Sequence, residues 1–374
     1  MKDESPTRTD RHKKPEKHGK RGSRIRLIIM AVIVLILIGG GVFAAQTYGK
    51  LKHNFSKSYS GVESATKTSV KAGQPISVLL MGTDTGALGR KDKGRTDTMI
   101  VVTINPKSNK TTMVSIPRDT MVNLRTGQNA NAGVEKINSA YTVDGAGGAI
   151  KTVENLINVP INYYAVMNMG GLEKIVDAIG GINVTVPFSW SDSHTHMSFT
   201  KGKAHLNGKR ALGFARMRYE DPQGDYGRQK RQQQVITAIA KKVLASKSPS
   251  EYEKLMSLVA DNLRTNLTFD DLVGLAAHDN VAIKNLKKSS LQGTGAYIGD
   301  ESFQVTSTKE LNRVSTLLRG QLGLKKVTLN NFNTRQNKQN VAAGFDFSNG
   351  YNPIYTLYGG ASVGALEQYG TANS

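Results

Sequence analysis

The sequence predicts an α/β fold, a three-layer sandwich with a central mixed β-sheet flanked by helices, preceded by one transmembrane helix. Strand and helix patterns alternate between residues 75 and 326, which is typical of a sheet covered by helices on both faces. An uninterrupted apolar run, Leu27 to Ala45, is long enough to cross a bilayer. The chain of 374 residues can hold one large domain or two small ones, plus tails.

The chain is strongly basic and lacks cysteine. Lysine and arginine number 50 against 29 aspartate and glutamate residues, for a formal net charge of +21. This surplus favours anionic partners, such as nucleic acid, lipid phosphates or acidic polysaccharide. The absence of cysteine excludes disulfides, thiol nucleophiles and cysteine-ligated zinc, and it suits an exported protein.

The amino-terminal region predicts a membrane protein whose main domain is extracellular. Residues 1–24 are charged and nearly free of large apolar side chains, so we expect a disordered cytoplasmic tail. Residues 25–47 form the predicted membrane helix, and the basic residues before it favour a cytoplasmic amino terminus. A cleaved signal peptide is the competing interpretation, because Phe43-Ala44-Ala45 supplies small residues, but the apolar run is longer than a secretory core. Residues 48–74 are then an extracellular linker, and this location argues against nucleic acid as a partner.

The first strands of the main domain end or begin at charged residues. Pro75 to Gly82 reads as a buried strand that ends at Asp84, and Asp97 opens the next strand. Ligands are commonly bound at the carboxyl ends of strands in α/β sheets. Two carboxylates together with substrate phosphates can hold Mg²⁺, or alternatively Mn²⁺. Each aspartate taken alone is more typical of a turn or a cap.

The remaining elements follow from apolar periodicity, capping residues and turn signals. We expect strands at Tyr163 to Met169, Ile182 to Pro187 and Leu212 to Tyr219, and an edge strand at Lys284 to Leu291. We expect helices after Gly148, at Gly171 to Ile179, Gln233 to Ala245, Tyr252 to Leu267, Phe269 to Ala277 and Thr308 to Gly323. Residues 327–374 are rich in Asn, Gly, Ser and Tyr, and we expect a flexible polar tail there.

The segment Arg216 to Gln233 concentrates charge within a short stretch. On the predicted strand, Arg216 and Arg218 point to the same face. Asp225 is placed to cap a helix that carries Arg228 and Gln232 on one side, which predicts a site for phosphate oxygens. A solvated mixed-charge surface is the simpler interpretation of this segment on its own.

Several motifs together identify a family resemblance. They are Gly82-Thr83-Asp84, Gly94-Arg95-Thr96-Asp97-Thr98, Ser115-Ile116-Pro117-Arg118-Asp119, Lys136-Ile137-Asn138, Ala215-Arg216-Met217-Arg218 and Gly227-Arg228-Gln229. With these motifs the chain resembles the LytR-CpsA-Psr family of membrane-anchored cell-wall glycopolymer transferases, from about Ile76 to Leu324. The basic tail and single anchor are also similar to that family.

The resemblance implies an extracellular phosphotransferase of a Gram-positive cell membrane. Such an enzyme moves a glycopolymer from a polyprenyl-pyrophosphate carrier to a peptidoglycan sugar hydroxyl and leaves a phosphodiester link. It implies that Asp84 and Asp97 bind Mg²⁺, and that a basic set binds the pyrophosphate: Arg95, Arg118, Arg216, Arg218, Arg228 and Gln232. Asp225 matches a further acid near the site. We expect the catalytic contribution from Asp84, Asp97, Arg118, Arg216 and Arg218, because metal ions and arginines stabilise charge in phosphoryl transfer.

Two other functions use the same residues. A hydrolase would cleave the same lipid-linked donor with water in place of the sugar hydroxyl. A non-catalytic anchored module would bind polyprenyl phosphates or anionic wall polymer without turnover, although such a module gains nothing from carboxylates in a basic cleft. The polymer itself, whether teichoic acid, capsular polysaccharide or another wall polysaccharide, stays open at this point.

Overall fold

A computed structural model describes residues 45–62, 65, 74–83, 94–193, 195–245, 257–271, 285–348 and 353–364. The predicted cytoplasmic tail and the predicted membrane helix up to residue 44 lie outside these ranges, as does Asp84. Within these ranges, no helix is both long enough and apolar enough to span a bilayer.

Seven labelled helices and fourteen strands form the described structure. The helices are α1 Ala45–Ser56, α2 Ala140–Ile157, α3 Met169–Ala178, α4 Gly208–Arg216, α5 Gly224–Ala245, α6 Thr308–Gln321 and α7 Phe332–Ala342. The first seven strands are β1 Ile76–Thr83, β2 Thr96–Asn105, β3 Lys110–Ser115, β4 Met121–Arg125, β5 Asn131–Lys136, β6 Tyr163–Asn168 and β7 Ile182–Val186. The others are β8 Trp190–Ser191, β9 Ser198–Phe199, β10 Gly202–Leu206, β11 Leu263–Thr265, β12 Asn285–Ser290, β13 Thr294–Ile298 and β14 Glu301–Val305.

The central sheet has six strands in the order β11-β6-β1-β2-β3-β12. Strand β1 runs parallel to β6, and β3 runs parallel to β12, while the other neighbours are antiparallel. The mixed sheet predicted from the sequence is therefore confirmed, and so is the edge position of the strand near Lys284 to Leu291. The near-continuous apolar sequence of β1 suits a strand that is covered on both faces.

Helices cover both faces of this sheet, which confirms the three-layer sandwich. Successive residues of a strand point to opposite faces, so Val78 and Leu79 enter different cores. The first core also contains apolar side chains of α3, α4 and α5, and the second contains those of α2 and α6. The site described below lies where α4 and α5 meet the ends of β1, β2 and β3.

The predicted strand from Leu212 to Tyr219 is wrong, because this region begins as a helix. The side chain of Asn207 accepts a hydrogen bond from the Arg210 amide at 3.0 Å and caps α4 at its amino end. Ala211, Phe214 and Ala215 follow at helical spacing and are buried in the first core. A second prediction, the helix from Tyr252 to Leu267, is wrong at its end, where residues 263–265 form β11.

The carboxyl-terminal segment is folded as far as the structure describes it, so the predicted flexible tail is wrong for residues 327–348 and 353–364. Helix α7 begins with a capping box between Asn331 and Thr334. Its asparagines are buried because their amides are paired: Asn337 is 2% exposed and donates to the Thr306 carbonyl at 2.9 Å. The segment also completes a third apolar cluster, in which Tyr355 packs with Phe303. Polar composition therefore concealed a packed segment.

The linker expected over residues 48–74 is joined to the domain in its first part. Phe55 of α1 is 1% exposed and contacts Phe269, with ring centroids 6.3 Å apart. The Ser60 amide donates to the Thr265 carbonyl at 2.7 Å, and the Thr265 amide donates to the Ser58 carbonyl at 3.0 Å. Residues 55–60 thus pack along the edge strand β11 and do not form a free stalk.

Candidate active site

An arginine and an aspartate meet where two strands of the central sheet adjoin. Arg118 lies just beyond β3, and Asp97 lies in the first turn of chain of β2. Nη1 of Arg118 donates to Oδ1 of Asp97 at 2.6 Å. The antiparallel register of β2 and β3 brings them together, since the Ile116 amide donates to the Met99 carbonyl at 2.8 Å.

A second ion pair lies at the start of α5. Nη2 of Arg228 is 2.5 Å from Oδ1 of Asp225, and the other carboxylate oxygen accepts from Nε2 of Gln229 at 2.8 Å. The side chain of Arg228 is only 6% exposed. Helix α5 is docked on the sheet by Gln233, whose amide donates to the Ser115 hydroxyl at 2.8 Å and the Ser289 carbonyl at 3.0 Å. The helix is therefore fixed next to the end of β3.

The two ion pairs form one electrostatic unit, which we call the arginine cluster: Asp97, Arg118, Asp225 and Arg228. Burial opposes the charge of Arg118, but neighbouring carboxylates, including Asp225, outweigh it and hold the pKa of its guanidinium above the ordinary value. Burial lowers the pKa of the Arg228 guanidinium, and the charge of Arg118 adds to this effect while Asp225 offsets part of it. Both groups stay charged at neutral pH because arginine titrates far above it.

The arginine cluster keeps hydrogen-bonding capacity in reserve. Nε of Arg118 and Nε of Arg228 are buried, and neither has a hydrogen-bond partner in the described part of the chain. An unmade hydrogen bond of a buried charged group is costly. Since both donors belong to guanidinium groups that suit phosphate oxygens, the cluster is built to receive an anion.

An apolar cavity opens beside the arginine cluster, between the sheet and helices α3, α4 and α5. Its empty volume is about 890 Å³ including the open mouth. The walls are mainly apolar residues: Leu80, Met81, Ala165, Met167, Leu172, Leu212, Val235, Ile236, Ile239 and Leu263. Thr98, Arg216 and Gln232 also line it. Gln232 is one helical turn from Arg228 and Thr98 follows Asp97, so the polar part of this cavity adjoins the cluster.

The structure places the predicted site residues in three groups. Asp97, Arg118, Asp225 and Arg228 come together, as predicted. Arg216 and Gln232 line the cavity, although Arg216 reaches it from the end of helix α4. Arg218 is half-buried with its guanidinium 5.7 Å from the ring of Tyr219, and Arg95 is exposed beside β2; no contact in the described structure joins either to the arginine cluster. Since Arg216 and Arg218 do not share a strand, the proposed common face is wrong.

The predicted metal site is only partly within the described structure. Asp84 lies outside it, but Thr83 pairs with Thr96, so the chain leaves β1 next to Asp97. Asp97 is partly exposed at the edge of the arginine cluster, and a carboxylate oxygen there suits Mg²⁺. Within the described residues, no group of three or more His, Cys, Asp or Glu side chains could hold a metal ion. Mg²⁺ is commonly held by one or two carboxylates plus substrate phosphates, so the residues fit this metal.

Arg231 has a supporting role that the sequence analysis missed. It is buried and pairs with the carboxylate of Asp221, and Nε also donates to the Phe214 carbonyl at 3.0 Å. These contacts fasten α5 to the end of α4. Gly227 makes room for them, because a Cβ at that position would overlap the Asp221 carboxylate. The only local signal was the glycine next to Arg228, which does not reveal its distant neighbour.

Comparison with known proteins extends this picture. The model of the LytR_cpsA_psr family matches residues 44–320, which is more than half of the chain. The chain belongs to the LytR_cpsA_psr family. The resemblance stated from the motifs is confirmed, and the matched range contains every predicted site residue and the whole apolar cavity. The match ends before α7.

Individual members of the LytR_cpsA_psr family are similar over most of the chain. The polyisoprenyl-teichoic acid–peptidoglycan teichoic acid transferase TagU of Enterococcus faecalis is 42% identical over 307 residues, covering 82% of this chain and 99% of the relative. The crystal structure of protein gbs0355 from Streptococcus agalactiae is 36% identical with a TM-score of 0.64, covering 73% of this chain and 96% of that one. A structure described as TagT bound to LIIa-WTA is 26% identical with a TM-score of 0.56, covering 71% of this chain and 97% of that one.

Proposed function

We propose that this protein transfers a glycopolymer, of the teichoic acid class, from a polyprenyl-pyrophosphate carrier to a peptidoglycan sugar hydroxyl. The observation that carries the proposal is the junction of the apolar cavity with the arginine cluster. A polyprenyl pyrophosphate has the same two parts, an apolar chain and a doubly charged head. The name of the Enterococcus faecalis relative states the same donor, acceptor and reaction for that protein.

The cavity and the arginine cluster assign a place to each part of the donor. The prenyl chain enters the cavity among Leu172, Ile236 and Ile239, and burial of each methylene contributes about 0.8 kcal/mol. Arg216 and Gln232 meet the phosphate nearer the lipid. The guanidinium groups of Arg118 and Arg228 then donate to the phosphate that carries the polymer. This placement leaves the polymer free to extend from the site.

The proposed reaction exchanges one phosphorus–oxygen bond for another. The acceptor hydroxyl oxygen attacks the polymer-bearing phosphorus, and the bond from that phosphorus to the bridging oxygen breaks. Polyprenyl phosphate leaves, the polymer is joined by a phosphodiester, and the hydroxyl proton passes to a carboxylate, for which Asp97 is the described candidate. Arginine donors aimed at the phosphoryl oxygens stabilise the charge that develops there. The pyrophosphate supplies the activated bond, which suits a site outside the cell membrane.

Mg²⁺ is part of the proposal, with Mn²⁺ as the alternative, and Asp97 and Asp84 are the residues that would hold it. The ion would supply further positive charge to the pyrophosphate oxygens. A single-pass membrane location, with the amino terminus in the cytoplasm, is proposed on the apolar sequence of residues 25–47.

A labelled-transfer assay with the full chain in detergent micelles tests the function. The donor is a short-chain polyprenyl-pyrophosphoryl saccharide with a labelled sugar, and the acceptor is uncross-linked peptidoglycan, with Mg²⁺ or with a chelator. We expect label to enter peptidoglycan only with Mg²⁺, and Asp97→Asn to abolish this while Asp300→Asn, an exposed control, does not. Release of phosphorylated sugar without attachment would establish hydrolysis instead. A donor that stays intact beside a competent acceptor would establish a binding module. Label that enters with chelator present would overturn the metal proposal alone.

A further inference from the structure

A second cavity, polar and basic, lies between the domain core and the carboxyl-terminal segment. We call it the Arg125 cavity. Its empty volume is about 500 Å³, and it is lined by β4, α2 and residues 330–335 at the start of α7. The polar side chains that matter here are Asn123, Arg125, Asn155, Asn330, Asn331 and Arg335. Because the family match ends at residue 320, one wall of this cavity is formed by a segment outside the matched domain.

The Arg125 cavity carries two positive charges and unused hydrogen-bonding groups. None of its described lining residues is an aspartate or glutamate. Nε of Arg125 and Oδ1 of Asn123 are buried and have no hydrogen-bond partner within the described structure. Nη1 of Arg125 makes a single long contact, 3.4 Å to the Asn129 carbonyl. Burying such groups without partners costs free energy, so a ligand that pairs with them is favoured.

The walls of the Arg125 cavity are held in place by their own hydrogen bonds. The Asn331 amide donates to the carbonyls of Asn155 and Leu156 at 2.9 and 2.8 Å. The Asn333 amide donates to the Met121 carbonyl at 2.7 Å. These bonds fix residues 331–333 against α2 and β4 before any ligand arrives, and a preorganised site loses less entropy on binding.

We propose that the Arg125 cavity binds a phosphate group of a polyhydroxylated, phosphate-bearing chain. Paired arginines fit phosphate oxygens, and the surrounding asparagines suit hydroxyl groups. The inference rests on the proposed function, since the ligand is the polymer part of the same donor. Arg125 follows Arg118 by seven residues, so the two Cα atoms are at most about 25 Å apart in an extended chain. A polymer held by its pyrophosphate at the arginine cluster is thereby placed within a few repeats of the second site.

Binding of a lipid-free probe to the full chain in detergent micelles tests this inference. The probe is an end-labelled oligo(glycerol phosphate), and the comparison ligand is a neutral dextran oligomer of similar length. Fluorescence anisotropy at low salt gives the dissociation constants. We expect the phosphate oligomer to bind and the dextran not to, and we expect Arg125→Gln/Arg335→Gln to weaken binding about 10-fold or more. The matched control Lys309→Gln/Lys338→Gln removes the same charge from exposed positions outside the cavity and should leave binding nearly unchanged.

Three results would overturn the assignment. These are an unaltered affinity of the arginine double variant, an equal loss in the lysine control, or tighter binding of a carboxylate-bearing muropeptide than of the phosphate oligomer. Arg335→Gln alone changes only an exposed side chain, and thermal unfolding verifies that its fold is intact. The assay contains no lipid donor and no acceptor, so a failure of the transferase proposal does not affect its readout. Arg118→Ala should retain the oligomer affinity, and a matching loss there would place the probe in the arginine cluster instead.

Discussion

Nη1 of Arg118 donates to Oδ1 of Asp97 across 2.6 Å, and this bond ties the end of β3 to the beginning of β2. A guanidinium held in this way needs little reorganisation when charge develops on a bound phosphoryl group. The same contact leaves Nε of Arg118 without a partner in the described structure, so the fixed side chain still has a donor for substrate. Structural support and substrate binding are therefore combined in one residue.

Replacement of Arg118 tests that combination. Arg118→Ala should lower turnover about 100-fold or more, by analogy with the loss of one transition-state donor, while the protein stays folded. The labelled-transfer assay measures the rate, and thermal unfolding verifies the fold. Lys325→Ala removes an exposed positive charge outside the arginine cluster and should have near wild-type turnover. A folded Arg118→Ala protein with full activity would contradict the assignment.

Filling the apolar cavity should impair use of the lipid donor. Ile236→Trp places a larger ring among the cavity walls, and loss of about two buried methylene contacts corresponds to about a 10-fold weaker donor affinity. The Michaelis constant for a long polyprenyl donor should therefore rise more than that for a donor with a very short chain. Val341→Trp, at an exposed position on α7, is the matched control. Equal Michaelis constants for wild type and Ile236→Trp with both donors would exclude the cavity as the lipid site.

Gly227 is expected to be essential for stability. A methyl group there overlaps the Asp221 carboxylate and separates it from Arg231, and breaking a buried ion pair costs on the order of 3 kcal/mol. Gly227→Ala should therefore lower the free energy of unfolding by about that amount, as measured by denaturant titration. Gly320→Ala, at an open position of α6, should be neutral or slightly stabilising. Similar stability of the two variants would show that the pair tolerates the displacement.

The carboxyl-terminal segment should unfold with the domain if its buried amides support it. Asn337 accepts from the Tyr355 hydroxyl at 2.7 Å, so Asn337→Ala leaves a buried hydroxyl and the Thr306 carbonyl unpaired. We expect a loss of about 1–3 kcal/mol in the free energy of unfolding. Gln339→Ala on the exposed side of α7 is the control and should change it little. Limited proteolysis near residue 327 provides a second readout, and equal resistance of both variants would contradict the prediction.

The sequence predicted best what depends on local pattern. The apolar run of β1 and the helical spacing of α6 carry their own signals, and charged residues at strand ends anticipated the contact between Asp97 and Arg118. The apolar cavity could not be predicted, because Leu80 and Ile239 look like any other core residues until their elements are placed. Helix α4 was taken for a strand since the alternation around Arg216 and Arg218 resembles one, and Asn207 was overlooked as a cap. Helix α7 was missed because its asparagines are satisfied by partners far along the chain.

The packing of α1 against Phe269 and of residues 58–60 against β11 has a mechanical consequence. On the proposal that residues 25–47 span the membrane, the helix that leaves the bilayer is part of the domain and not a tether around which it could swing. The entrance of the apolar cavity then faces the lipid headgroups at a constant height and tilt. Encounter with a lipid-linked donor becomes a search in the plane of the membrane between two partners that already share an orientation.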